Sequence, residues 1–342
     1  MDDLLTTTTG DNPRVLVTGA TGALGPRVVE ALDRSGYAVR VLALDPPEPG
    51  VFEPSIDVRI GDINSLIDVR SAVKDVHLIV HMAAKLHVVN PTRDQVRLYQ
   101  LVNVDGTKNV VAAALEAGVR RLIYFSTIAV YGHSDGNVLD EDSLLKPDTP
   151  YAESKLQAEL IVLRACLPDG RPFGTILRLA AVYGSRVKGN YRRLVQALAK
   201  RRFVAPGPGI NRRTLIYDRD VGNAVMAVLE NPNTVGKVYN VTDGEIYPLS
   251  DIIKTACEAL GRKPPRMRLP MAPLRAGANI MDKGATLLGF RPPGFKSALV
   301  KYTEDLAVDG HRIQKEIGFK PKYNLLSGWK ETIEEMRIWG EL

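Results

Sequence analysis

The sequence predicts an α/β fold, a doubly wound parallel sheet with helices on both faces, followed by a smaller C-terminal lobe. Three observations carry this expectation. Short apolar runs alternate with amphipathic stretches through the first half of the 342-residue chain. A glycine cluster, Gly19-Ala-Thr-Gly22-Ala-Leu-Gly25, stands directly between the first such run and the first amphipathic stretch. After Gly184 the alternation fades, and Pro, Gly and basic residues become frequent. Alternating strands and helices imply crossover connections, and these cover a parallel sheet on both faces.

The elements follow in order. Arg14 to Thr18 reads as a buried strand, Gly22 to Arg34 as a helix ended by Ser35-Gly36, and Ala38 to Leu44 as the second strand. Ile56 to Ile60 and Val76 to His81 read as strands, and Asp94 to Ala117 as one long helix stopped by Gly118. Arg121 to Ser126, Pro150 to Cys166 and Phe173 to Leu179 continue the strand–helix–strand order. Beyond Gly184, helices fit Asn190 to Lys200 and Asp218 to Glu230, and Lys237 to Val241 fits one more strand. Short helices fit Asp309 to Ile317 and Ser327 to Trp339. The expected division is 12–184 for the sheet domain and 185–342 for the second lobe, with the sheet revisited by about 214–243. The Pro- and Gly-rich stretch from Gly261 to Gly294 takes no assignment, and Met1 to Asn12 reads as a loose polar tail.

Composition excludes several classes. The apolar and charged fractions are those of a soluble globular protein. No apolar run approaches the roughly 20 residues that span a bilayer, so no membrane partner is expected. Cys166 and Cys257 are the two cysteines, too few for a disulfide framework or a cysteine zinc site, so a reducing cytoplasm and no metal are expected. The net charge of +6 is unevenly spread: Arg186 to Arg213 holds nine Lys or Arg and no Asp or Glu. Such a local field suits a small anionic ligand better than nucleic acid, though a solvated helix face gives the same pattern.

The glycine cluster carries the first chemical reading. Gly19 permits a tight turn, Gly22 lets backbone approach a pyrophosphate, and Gly25 lets the helix pack on the strand. The helix N-terminus then offers free N–H groups to phosphates, with Thr21, Ala23 and Leu24 as further candidates for the cofactor, as in a Rossmann-type dinucleotide site. A carboxylate at the end of the second strand favours NAD, and an arginine there accommodates NADP. Ala43 and Leu44 occupy that place here, with Asp45 close by, so the reading leans to NAD through Asp45 and leaves NADP open.

Tyr151 and Lys155 carry the second. Four residues apart, they share one face of the predicted helix. An ammonium beside a phenol favours the phenolate, so Tyr151 becomes an acid/base for an alcohol–carbonyl pair. Thr127, at the end of the Tyr124-to-Thr127 strand, offers a hydroxyl to the same oxygen.

With these motifs the chain resembles the extended short-chain dehydrogenases/reductases. The resemblance runs from Arg14 to about Trp339. Its strongest segments are the glycine turn, His81-Met-Ala-Ala84, Asn103-Val-Asp-Gly-Thr107, Ser126-Thr-Ile-Ala-Val-Tyr-Gly132 and Tyr151-Ala-Glu-Ser-Lys155. It implies that Asp62, with Ile63 beside it, binds the adenine end. It implies that Ala83 and Ala84 line the nicotinamide side, and that Asn103 supports the active site. Alignment on Val130-Tyr131-Gly132 makes Thr127, rather than Ser126, the family's Ser/Thr, and Lys155 the residue on the nicotinamide ribose. Dehydrating members carry an acidic residue just after that Ser/Thr. Ile128 and Ala129 stand here, which leaves oxidation–reduction or epimerisation through a transient ketone.

Arg213-Thr-Leu-Ile-Tyr217 and the following Asp218-Arg-Asp-Val221 resemble the diphosphate-binding segment of nucleotide-sugar epimerases and their reductase relatives. The implied substrate contacts are Arg213 and Asn190 on the diphosphate side, with Lys85 and Thr127 towards the sugar. Ala181 departs from the Asn usual at its position, and Leu269 to Phe295 resembles the variable lid of the reductases. The implied activity is epimerisation of a nucleotide-diphosphate sugar through a 4-keto intermediate. Open beside it stand a nucleotide-sugar 4-ketoreductase, a sterol- or flavonoid-type dehydrogenase and a non-catalytic dinucleotide sensor. The family also implies a homodimer built on the helices at Asp94–Ala117 and Pro150–Cys166.

Overall fold

The computed structural model describes residues 12–342 apart from 89, 266–267, 271, 275, 278–279, 282–283 and 285–303. Most of the lid expected at Leu269 to Phe295, and nearly all of the N-terminal tail, lie outside the described residues.

A seven-stranded sheet in the order β11-β7-β5-β4-β1-β2-β3 forms the centre. Its strands are β1 (Arg14–Thr18), β2 (Ala38–Ala43), β3 (Asp57–Ile60), β4 (Leu78–His81), β5 (Arg121–Thr127), β7 (Gly174–Leu179) and β11 (Val238–Val241). Every pairing among them is parallel. Side-chain alternation explains the two layers. Val15 and Val17 point to one face and Leu16 to the other, and all three are buried. The first face is covered by α1 (Gly25–Arg34) and α7 (Asp218–Glu230), through Val28, Leu32, Val221 and Val225. The second is covered by α2 (Leu66–Ala72), α4 (Gly106–Glu116) and α5 (Pro150–Arg164), through Val69, Val110, Ala114, Ala158 and Val162.

The helix expected over Asp94 to Ala117 is three pieces in line. α3 (Arg93–Leu98) has a capping box at Thr92 and Gln95, a π-helical stretch covers Tyr99–Asp105, and α4 follows. α1 starts at Gly25 and not at Gly22, because Gly19 to Gly22 form a closed turn in which Gly22 N–H donates to Gly19 O at 3.0 Å, and Pro26 sits in the first helical turn.

The second lobe has its own core of Leu194, Leu198, Leu215, Ile252, Trp329 and Ile333. It joins α6 (Asn190–Ala199), α8 (Leu249–Ala259) and α10 (Leu325–Ile338) to a small sheet in the order β12-β10-β8. That sheet contains β8 (Ala181–Tyr183), β10 (Arg212–Tyr217) and β12 (Ile246–Pro248). Two short pairs complete the strands. β6 (Val138–Leu139) pairs β14 (Ala307–Val308), and β9 (Ala205–Pro206) pairs β13 (Arg268–Leu269). α9 (His311–Ile317) packs beside β11. Within 214–243, β11 therefore lies on the main sheet while β10 belongs to the small one. Among the described residues no helix is long and apolar enough to cross a membrane.

Candidate active site

Strand order reverses direction between β1 and β4, and ligands in open parallel sheets bind outside the carboxyl ends of the strands at that point. A cleft of about 760 Å³ opens there. Its floor is the glycine turn, with Gly19, Thr21, Gly22, Ala23, Leu24 and Gly25 all in its wall. Gly19 has φ +74°, and a Cβ there would lie 2.6 Å from the Ala83 backbone nitrogen. A Cβ on Gly25 would lie 1.9 Å from Ala20 O. Both glycines are required sterically, one for a left-handed turn and one for close helix–strand approach. The start of α1 faces this cleft, and the positive end of its dipole suits an anionic ligand.

Asp62, Ile63, Ala83 and Ala84 also line the cleft. Asp62 serves a turn as well, since its Oδ1 accepts from Asn64 N–H at 2.9 Å and from Asn64 Nδ2 at 3.0 Å. Asp45 is not among the lining residues. The end of β2 presents Leu42, Ala43 and Leu44 to the cleft, while Asp45 sits exposed beyond it. Asn103 is fully buried behind the wall and does not line the cleft either. Its Oδ1 accepts from Lys85 N–H at 2.7 Å, and its Nδ2 donates to Ser154 Oγ at 2.9 Å. It thereby ties the loop after β4 to α5 and positions the wall.

A second cavity, also about 760 Å³, lies between the lobes. Asn190, Tyr191, Leu194, Arg213 and Leu249 come from the small lobe, and His87, Tyr99 and Ala129 from the sheet domain. Lys85 lines the first cleft, beside Thr127 and Tyr151, and not this one. Thr127 and Tyr151 are common to both cavities. Ser126, its neighbour, lines only the first.

Local structure explains how these two side chains meet. β5 ends at Thr127, which caps the 3-10 turn Ile128–Tyr131 by accepting from Ala129 N–H at 3.2 Å. α5 starts at Pro150 behind Thr149, whose hydroxyl accepts from Ala152 N–H. Tyr151 thus stands in the first helical turn, edge-on to His87 and Tyr99 with ring centres 5.8 and 5.9 Å away. Lys155, one turn on, is buried with its ammonium 4.1 Å from the Tyr124 ring centre.

Burial governs the charge of both groups. It pushes the Tyr151 phenol up to about 12, with Tyr99 adding to the effect. It brings Lys155 down to about 7, against the pull of Glu159 one further turn along. In the protein alone desolvation, and not the charge of Lys155, sets the proton affinity of Tyr151. Behind the wall, Arg178 donates to Glu159 at 2.8 Å and to Tyr131 at 3.0 Å, which anchors that acid in the core.

Residues 15–242 match the NAD-dependent epimerase/dehydratase family. The chain belongs to that family. It is an NAD-dependent enzyme of the extended short-chain dehydrogenase/reductase type, and the cleft fits NAD at the Gly19 turn and the helix start. The chain is 27% identical over 329 residues to a UDP-glucose 4-epimerase of Vibrio cholerae, covering 94% of each. It is 29% identical over 327 residues to the N-acetyl-α-D-glucosaminyl-diphospho-ditrans,octacis-undecaprenol 4-epimerase of Escherichia coli O157:H7, covering 94% of this chain and 95% of that one. Among solved structures it is similar to MoeE5 in complex with UDP-glucuronic acid and NAD. That match has TM-score 0.76 and 27% identity, over 96% of this chain and 100% of the other.

Sequence reasoning missed part of the second cavity. His133, Asp148 and Glu304 line it, as do Leu306 and His87. Asp148 had a local signal, three residues before Tyr151 at the start of a helix. Glu304 had none, because it reaches the cavity from the far end of the chain.

Proposed function

We propose that the protein is an epimerase of a diphosphate-linked sugar, in the first instance a nucleotide-diphosphate sugar inverted through a transient 4-keto form. The observation that carries the reading is the pair of side chains common to both cavities: an alcohol held at Thr127 and Tyr151 meets a dinucleotide on one side and a diphosphate-binding wall on the other. NAD, when bound, supplies a hydride acceptor and returns the hydride. Thr127 holds the reacting oxygen, and Tyr151 takes its proton and gives it back. Lys155 supplies the positive charge that favours the Tyr151 phenolate and would hold the nicotinamide ribose. Gly19 to Gly25, Asp62, Ile63, Ala83 and Ala84 would hold the rest of the dinucleotide. Arg213 is suited to paired hydrogen bonds with diphosphate oxygens, and Asn190 starts the helix beside it. Ile128 and Ala129 offer no acid or base for elimination, which favours epimerisation over dehydration. We also propose that two copies pair through the layer containing α3, α4 and α5.

The test is incubation of purified protein with UDP-glucose, UDP-galactose and their N-acetyl forms, without added reduced cofactor. The expected result is interconversion of one pair, with Tyr151→Phe slower by about 10²–10⁴-fold. No interconversion, or equal rates for Tyr151→Phe, counts against the reading.

A further inference from the structure

The second cavity holds a charged group that the proposed chemistry leaves unused. His133 Nε2 lies 3.4 Å from Asp148 Oδ2, and His133 Nδ1 lies 3.6 Å from Glu304 Oε1. All three side chains line the cavity that contains Tyr151 and Arg213. Two carboxylates against one imidazole leave the cluster anionic whether or not the ring carries a second proton.

The backbone holds this cluster beside the reacting position. His133 follows Gly132 at the end of the 3-10 turn that begins after Thr127. Asp148 directly precedes the Thr149 cap of the helix whose first turn carries Tyr151. The two segments touch: Gly132 has φ +72°, and a Cβ there would lie 2.0 Å from Lys146 O. Glu304 is fixed from the other side, because its carbonyl accepts from Asn211 Nδ2 at 3.1 Å and Leu306 N–H donates to Arg212 O at 3.0 Å. A sugar whose hydroxyl sits at Thr127 and Tyr151 therefore shares its cavity with these acidic side chains.

We infer that His133, Asp148 and Glu304 make the cavity select diphosphate-linked hexoses that are neutral or amino-substituted, and reject hexuronates. The inference rests on the diphosphate-sugar reading above and names its substrate class. A uronate carboxylate placed here meets like charge in a partly shielded cavity, where repulsion is screened by water but not removed. A hydroxymethyl group meets no such cost, and an ammonium meets attraction.

The test compares ligands that differ only at C6. Dissociation constants of UDP-glucose and UDP-glucuronate, and of the dTDP-linked pair, are measured by calorimetry on NAD-loaded wild type and on the Asp148→Asn/Glu304→Gln double variant, with UDP and dTDP alone as references. The expected result is glucose over glucuronate by about tenfold or more in the wild type, with the ratio falling towards unity in the double variant. The ratio is read on one protein at a time, so a general loss of affinity does not imitate it. A wild type that binds the glucuronate form as tightly as the glucose form, or an unchanged ratio in the double variant, overturns this inference alone. Failure of every nucleotide and nucleotide sugar to bind overturns the diphosphate-sugar reading, and this inference with it.

Discussion

His81, the last residue of β4, is fully buried among polar partners. Its Nδ1 lies 2.6 Å from Thr18 Oγ1, and its Nε2 lies 3.0 Å from Thr107 Oγ1. Thr18 Oγ1 also accepts from Ala83 N–H at 3.3 Å, so the ring braces the strand ends that form the cleft. Burial, and then the charge of Lys155, bring this imidazole down to about 3. Between pH 3 and the usual 6.5 the unfolded chain binds a proton at His81 that the folded chain does not. Its contribution to stability therefore falls as pH drops through that range, by at most about 1.4 kcal/mol per pH unit. Asp218 and Asp243 act in the opposite sense, because burial raises them to about 6 and 7. The difference between wild type and His81→Asn isolates the histidine. Denaturant unfolding between pH 7.5 and 5 is expected to show stability falling more steeply with acid in the wild type. Parallel profiles would contradict this account of His81. At this scale the Tyr151–Lys155 spacing was legible in the sequence, since helical geometry alone puts them on one face. Their proton affinities were not, because these depend on burial under Tyr99, Tyr124 and other residues distant in the chain. The surroundings of Asp45 were not legible for a similar reason: Leu44 lines the cleft, while Asp45 is exposed and outside its lining.

The glycine turn was the most legible element, because strand, turn and helix are contiguous and Gly19 and Gly25 each have a steric reason. The long helix was legible in extent but not in detail. The π-helical stretch Tyr99–Asp105 contains Asn103, whose side chain joins Lys85 to Ser154, and local apolar periodicity has no signature for such a stretch. The same layer carries the proposed pairing of two copies. α3 has no buried residue and leaves Val96 exposed, and α5 buries Ala152, Ala158 and Val162 while leaving Leu160 exposed. Light scattering on the purified protein is expected to give twice the chain mass, and a Val96→Glu/Leu160→Glu variant to give a single chain mass. A wild-type monomer, or a double variant that stays paired, would count against pairing through these helices.

Across the whole molecule, a cavity in the sheet domain and a cavity between the lobes share one threonine and one tyrosine. The sequence located both residues and the parallel sheet that supports them, because local pattern specifies strands, helices and the βα turn. It did not reveal the wall of the second cavity, which combines the β5–α5 connection with β10, α6 and the segment at Glu304 and Leu306. Contacts so distant in sequence leave no periodic trace. The central claim is that Tyr151 and Thr127 serve a hydride-mediated inversion at a carbon bearing a hydroxyl. The most direct test follows the hydrogen on that carbon, using the sugar nucleotide that interconverts, deuterated at C4 and incubated with the protein in ordinary water. The account predicts an epimer that keeps its deuterium at C4, read by mass spectrometry. An epimer that has exchanged the label for solvent hydrogen would contradict it.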